Sequence, residues 1–102
     1  MNTFKGCTIG SGTSIEAGCK LRRSVISNGC KIGKNVELAN AIIMEGAILE
    51  DNCKVLDSIV GASTIIRANS TLNNCQLAMG CHVEKESHCE GQIILPLQDK
   101  HL

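Results

Sequence analysis

The fold class this sequence predicts is all-β: a single-stranded parallel β-helix of about five coils, each coil built from units of six, six and five residues. Three observations at one register predict it. The first is a leading residue, almost always aliphatic, at the head of every unit. In the middle of the chain the units are Ile43-Met44-Glu45-Gly46-Ala47-Ile48, Leu49-Glu50-Asp51-Asn52-Cys53-Lys54 and Val55-Leu56-Asp57-Ser58-Ile59, and Val60 restarts the cycle. A shift of seventeen residues reproduces the pattern, so that the leaders are Ile9, Ile15, Leu21, Ile26, Ile32, Leu38, Ile43, Leu49, Val55, Val60, Ile66, Leu72, Leu77, Val83, Cys89 and Ile94, with Phe4 heading an incomplete first coil. A fixed short period with one large apolar residue per unit marks a solenoid whose coils cross three flat faces.

The second observation is a small or short residue two places before each leader: Cys7, Thr13, Cys19, Ser24, Cys30, Val36, Ala41, Ala47, Cys53, Ser58, Thr64, Ser70, Cys75, Cys81 and Ser87, with Gln92 the one misfit. Strand side chains alternate at period two, so leader and small residue both face inward and the residue between them faces out. The third observation concerns the corners. Three residues after the leaders of the six-residue units stand Gly12, Gly18, Gly29, Asn35, Gly46, Asn52, Ser63, Asn69, Gly80 and Glu86; the third position of the five-residue units is Gly6, Arg23, Asn40, Asp57, Asn74 or Gly91. Gly and Asn enter the left-handed backbone region at least cost, as a tight corner between faces requires. Periodicity by itself leaves the hand of the coil open, because right-handed crossovers are the general rule.

The elements follow in order. Met1 to Thr3 form a leader, the solenoid spans residues 4–95, and 96–102 is a tail. The first full coil, Ile9 to Val25, carries Gly12 and Gly18 at two corners and Arg22-Arg23 at the third. Two isolated charges read first as a solvated corner and second as a small anion site. The next three coils run without insertion, which counts against solenoid enzymes that carry their chemistry on loops thrown out between coils. The fifth coil, Leu77 to Ile93, decays: Glu86, Cys89 and Gln92 replace a corner residue, a leader and a small inward residue, as terminal repeats do. Pro96 removes a ladder donor and ends pairing after Ile94-Leu95. Both ends of the solenoid expose strand edges, and the mid-pattern start predicts an N-terminal neighbouring domain that covers one of them.

Composition bounds the function. The 102 residues suit one domain, and ten basic residues balance ten acidic ones, which argues against a nucleic-acid or membrane partner held by net positive field. No apolar run approaches a membrane-spanning length and the N-terminus has no signal-peptide pattern, so a soluble, cytoplasmic protein is expected. The single aromatic residue, Phe4, suits a narrow lumen filled by aliphatics and small side chains.

Seven cysteines invite a metal or disulfide reading. Register opposes it: six occupy the small inward slot and Cys89 a leader slot, so cysteine serves as a small buried hydrophobe in a reducing compartment. Cys81-His82 and His88-Cys89 have the look of a split zinc site, but alternation sends each cysteine in and each histidine out, on different faces. No metal and no cofactor is expected, and no catalytic residue is assigned.

The outward residues are more informative. On the face led by Ile9, Ile26, Ile43, Val60, Leu77 and Ile94, the outward residues before the leaders are Thr8, Val25, Ile42, Ile59, Gln76 and Ile93; those after them are Gly10, Ser27, Met44, Gly61 and Ala78. None is charged. The other two faces carry outward Lys20, Lys31, Glu37, Lys54, Glu16, Glu50, Arg67, Glu84 and Glu90 and read as solvated. Ile48 and Ile65 are expected to extend the apolar strip at one margin. The expected partner interface is therefore Val25, Ser27, Ile42, Met44, Ile48, Ile59, Gly61, Ile65, Gln76 and Ala78.

The uninterrupted units resemble the left-handed β-helix domains that follow nucleotidyltransferase-like domains in sugar-nucleotide pyrophosphorylases and in the gamma and epsilon subunits of eukaryotic translation initiation factor 2B. The runs Leu21-Arg22-Arg23-Ser24-Val25-Ile26, Asn40-Ala41-Ile42-Ile43-Met44 and Asp57-Ser58-Ile59-Val60-Gly61 are most similar to the gamma subunit, and an epsilon subunit would be expected to continue into a helical catalytic domain. The resemblance implies a left-handed coil and a non-catalytic assembly domain of a guanine-nucleotide exchange complex. Its implied partners are an epsilon-type subunit and, through it, initiation factor 2, with homodimerisation of the isolated domain as a further possibility and no direct nucleic-acid or membrane contact. The rival expectation is the oligomerisation domain of a mannose-1-phosphate guanylyltransferase or glucose-1-phosphate adenylyltransferase. A hexapeptide acyltransferase ranks third.

Overall fold

The structure, a computed structural model, describes residues 1–96; the expected tail, apart from Pro96, lies outside the described residues. The described chain folds into seventeen short strands arranged in three parallel sheets. Sheet A stacks Thr3–Lys5, Lys20–Arg22, Glu37–Ala39, Lys54–Leu56, Thr71–Asn73 and His88–Glu90. Sheet B stacks Thr8–Ile9, Val25–Ile26, Ile42–Ile43, Ile59–Val60, Gln76–Leu77 and Ile93–Ile94. Sheet C holds five strands, Ser14–Ile15, Lys31–Ile32, Ile48–Leu49, Ile65–Ile66 and His82–Val83. Every paired residue meets the one seventeen positions on, as Val25 meets Ile42 and Ile42 meets Ile59. The result is a left-handed parallel β-helix of about five coils. Pairing begins at Thr3, opposite Lys20, and the Asn2 side-chain oxygen already accepts a hydrogen bond from the Cys19 amide at 2.9 Å. The ordered coil thus starts earlier than the leader pattern, which has no apolar residue to register before Phe4.

The corners follow the expectation at every position. All sixteen residues with positive φ, nine non-glycine and seven glycine, are the expected corner residues. Arg23, Asp57, Ser63 and Glu86 adopt φ values of 47, 49, 59 and 61° without the usual Gly or Asn, at about 1 kcal/mol or more each. The cooperative ladders on either side hold them there: the corner amides themselves bond to the coil before, as Asn52 N does to Lys34 O at 2.8 Å and Ser63 N to Glu45 O at 2.9 Å.

The lumen is filled by the leaders. Leu21, Ile26, Ile32, Leu38, Ile43, Leu49, Val55, Val60, Ile66 and Leu72 are at most 1% exposed. Phe4 and Ile9, in the first coil, are exposed, because a terminal coil is covered from one side only.

The small inward residues do more than fit. Ser24 Oγ accepts from Ala41 N at 3.1 Å and Ser58 Oγ from Cys75 N at 2.9 Å, while each hydroxyl donates to the carbonyl two residues back, at 2.9 and 2.7 Å. Thr13 and Ser70 likewise accept from the amides of Cys30 and Ser87. The cysteines share the donor half of this role: Cys19, Cys30 and Cys53 each donate a thiol hydrogen to a carbonyl of the next coil, on Gly33, Met44 and Arg67, at 3.1 Å. Cysteine here is therefore a small donor as well as a small hydrophobe. Among the described residues every buried side-chain nitrogen and oxygen has a partner.

Candidate partner-docking face

Sheet B presents the uncharged surface. Its first outward column runs in register through Thr8, Val25, Ile42, Ile59, Gln76 and Ile93. Val25, Ile42 and Ile59 are 45, 44 and 39% exposed although each is flanked by buried lumen residues, as strand alternation demands. Beside them Met44 is 43% exposed, and Ser27 and Ala78 are half-buried. The corners that frame the face are polar: Arg23, Asn40 and Asp57 on one side, Asn28 and Glu45 on the other, with the Asn40 amide donating to Asp57 Oδ1 at 3.0 Å.

Three of the expected interface residues stand apart from the others. Ile48 and Ile65 stand on sheet C, across the corners at Gly46 and Ser63, in a column with Ser14, Lys31 and His82. Both are half-buried, and Ile48 lines a groove of about 480 Å³ together with Lys31, Glu50 and Asp51 rather than the sheet B strip. They meet the strip at its margin, one corner away from sheet B. Gly61 is on sheet B but buried, and a Cβ there would lie 2.6 Å from the backbone of Leu77, Ala78 and Met79 in the next coil. Glycine is needed for clearance at that point, so Gly61 offers a partner nothing but backbone. The remaining seven, Val25, Ser27, Ile42, Met44, Ile59, Gln76 and Ala78, share the face. Sequence reasoning missed Met79, 68% exposed at the sheet B to sheet C corner; its signal was a large apolar residue one place before a corner glycine, where Ser11, Asn28, Glu45 and Ala62 stand in other coils.

The remaining polar groups assemble no reaction centre among the described residues. The ion pair there is Arg67 to Glu50, 2.7 Å apart across one coil step on sheet C, with the other Glu50 oxygen accepting from Ala68 N at 3.0 Å. His82 and His88 are both exposed and lie on sheets C and A, while Cys81 is buried and Cys89 half-buried. Among the described residues no three His, Cys, Asp or Glu side chains converge as a metal-ligand set. Burial pushes the thiols of Cys19, Cys53 and Cys81 above their ordinary value of 9.0, which keeps them protonated and poor nucleophiles at neutral pH. All seven cysteines are free; Cys7 and Cys89, in the end coils, are half-buried rather than buried. No helix of the described residues is long and apolar enough to cross a membrane.

Six-residue units with one apolar leader each, wound into an uninterrupted parallel β-helix, define a hexapeptide-repeat domain. The chain matches the family model described as the EIF2B subunit epsilon LbH domain over residues 2–95, and it belongs to that family. No curated protein matches it. Among the 26 solved chains that match is the acetyltransferase domain of PglB from Neisseria gonorrhoeae FA1090, 18% identical with a TM-score of 0.49, the match covering 99% of this chain and 54% of that one. This chain thus spans about half the length of that structure.

Proposed function

We propose that this domain is a non-catalytic assembly element of an EIF2B-type guanine-nucleotide exchange complex in the cytoplasm, acting indirectly on initiation factor 2. In this reading sheet B docks the hexapeptide domain of a companion subunit. The observation that carries it is the contiguous uncharged face on a solenoid whose other two sheets are charged. Six strands spaced about 4.8 Å apart make a strip roughly 24 Å tall. Such a strip is narrower than a standard interface, so it serves as the apolar core, with Arg23, Asn40, Asp57 and Glu45 as the polar rim.

Two subunit types fit. The gamma type rests on the runs Leu21 to Ile26, Asn40 to Met44 and Asp57 to Gly61. The epsilon type is favoured by the family model, which covers residues 2–95 rather than three short runs. The types differ in the companion each captures. Immobilised domain is offered purified gamma-type and epsilon-type subunits: retention of the epsilon-type subunit identifies a gamma-type domain, and retention of the gamma-type subunit the converse. Ile42→Glu with Ile59→Glu is expected to abolish capture, or self-association of the isolated domain, because it strands charge in an apolar interface. Lys31→Glu with Lys54→Glu, on sheets C and A, is the control. Loss of capture in the control and its survival in the isoleucine variant would remove sheet B as the docking face.

A further inference from the structure

We propose that the N-terminal end of sheet A binds a short acidic peptide segment of a partner protein, a site separate from the sheet B face and independent of its assignment. The register builds it. Lys5 and Arg22 are in-register neighbours in one outward column, and Lys20 stands in the next column opposite Thr3. Adjacent strands are about 4.8 Å apart and same-face residues about 7 Å apart along a strand, so three cations share a patch roughly 10 Å across. Lys5, Lys20 and Arg22, all exposed, line a shallow groove of about 280 Å³ with Glu37, floored by the strand backbone at Leu21 and Leu38, whose side chains face the lumen.

None of these cations is paired with a carboxylate among the described residues, where the ion pair is Arg67 to Glu50. Glu37 is in register with Lys20 yet makes no ion pair with it. Like charges held on neighbouring strands repel, and a carboxylate-bearing ligand relieves that repulsion. The Arg22 guanidinium adds a planar fork suited to a carboxylate. A groove three strands wide accommodates about three or four extended residues.

Two features favour an acidic peptide over a nucleic acid. Charge is polarised along the solenoid: residues 1–48 carry six basic and three acidic side chains, residues 49–96 three basic and six acidic. A long polyanion following the axis leaves the basic end and meets like charge, whereas a short segment does not. The outward columns of sheet A also hold no Phe, Tyr or Trp on which successive bases could stack; the single aromatic residue, Phe4, belongs to the inward column of the terminal strand.

The test is fluorescence anisotropy of a labelled peptide of alternating Glu and Gly with the 102-residue chain at low salt. Binding is expected to be weakened about tenfold or more by Lys20→Glu with Arg22→Glu, less by Lys20→Gln with Arg22→Gln, and severalfold by physiological salt. Unchanged thermal melting shows that these exposed substitutions spare the fold. Lys31→Glu, on sheet C, is expected to bind like the parent, as is a Gln-for-Glu peptide to fail. The proposal is overturned by an absence of binding to the parent chain, by parent-like binding of the double charge reversal, or by a single-stranded RNA octamer that outcompetes the peptide at the same residues.

Discussion

Sheets A and B are stacked on the same seventeen-residue step around the same lumen, and their inward columns are interchangeable in kind: leaders Leu21, Leu38 and Val55 on one, Ile26, Ile43 and Val60 on the other, all buried. Their outward columns are not. Sheet A shows Lys20, Glu37 and Lys54 where sheet B shows Val25, Ile42 and Ile59. Since folding makes the same demand of both sheets, the difference cannot come from the requirements of the lumen. It separates what the coil needs from what the surface is for. An exposed branched aliphatic on a strand neither fills the lumen nor solvates the rod, and three in register on one sheet form a patch.

The sharpest way to break this comparison is at two consecutive residues. Ile43 is fully buried and Ile42 is 44% exposed. Ile43→Ala is expected to cost about 2 to 5 kcal/mol through lost burial and the cavity left in a lumen with little room to collapse. Ile42→Ala is expected to stay within about 0.5 kcal/mol. Chemical denaturation measures both, and comparable losses would mean that Ile42 is a core residue and that the face is not free to evolve a partner.

A smaller effect separates two kinds of inward residue. Ser58 accepts the Cys75 amide hydrogen and donates to Leu56 O. Ser58→Ala keeps the size of the slot but leaves the Cys75 amide unpartnered, at a cost of about 1 to 3 kcal/mol. The Leu56 carbonyl suffers less because it also accepts from Asn74 N at 3.0 Å. If Ser58→Ala melts with the parent protein, the slot selects for volume alone.

The fold was legible in this chain because its two strictest demands are local. A lumen level needs a branched aliphatic, and a corner needs a residue tolerant of positive φ; both recur at fixed spacing, so even Arg23, Ser63, Asp57 and Glu86 could be placed from their neighbours. The hydrogen bonds of the inward slot were not legible, because Ser, Thr, Cys and Ala are equally small and the amide that needs an acceptor lies one coil away. The same distance hid the clearance required at Gly61. Val25, Ile42, Met44 and Ile59 are legible as outward, since alternation decides it, whereas the half-burial of Ile48 and Ile65, one corner away on sheet C, has no signature in the unit count. Handedness has no local signature: the period is the same for either hand, and the general rule for crossovers favours the right-handed one, to which a left-handed coil is an exception.

The least of the expected effects concerns pH. Burial raises the thiols of Cys19, Cys53 and Cys81 above 9.0 in the folded chain, and in the unfolded chain they return to about that value. Between the unfolded and folded values the unfolded state loses protons that the folded state keeps, so stability falls as pH rises. The contribution is complete below about pH 9 and disappears upward through the folded values, opposite to the acid loss expected of paired carboxylates. Sheet B bears no ionisable outward side chain, so this alkaline slope belongs to the lumen and leaves the outward face of sheet B unchanged. Denaturation midpoints are expected to decline from pH 8 to pH 10 in the parent protein. The triple variant Cys19→Ser, Cys53→Ser, Cys81→Ser should show a flatter decline, since serine already occupies the equivalent slot at Ser24, Ser58 and Ser70. A slope unchanged by the three substitutions would show that these buried thiols do not carry the alkaline loss.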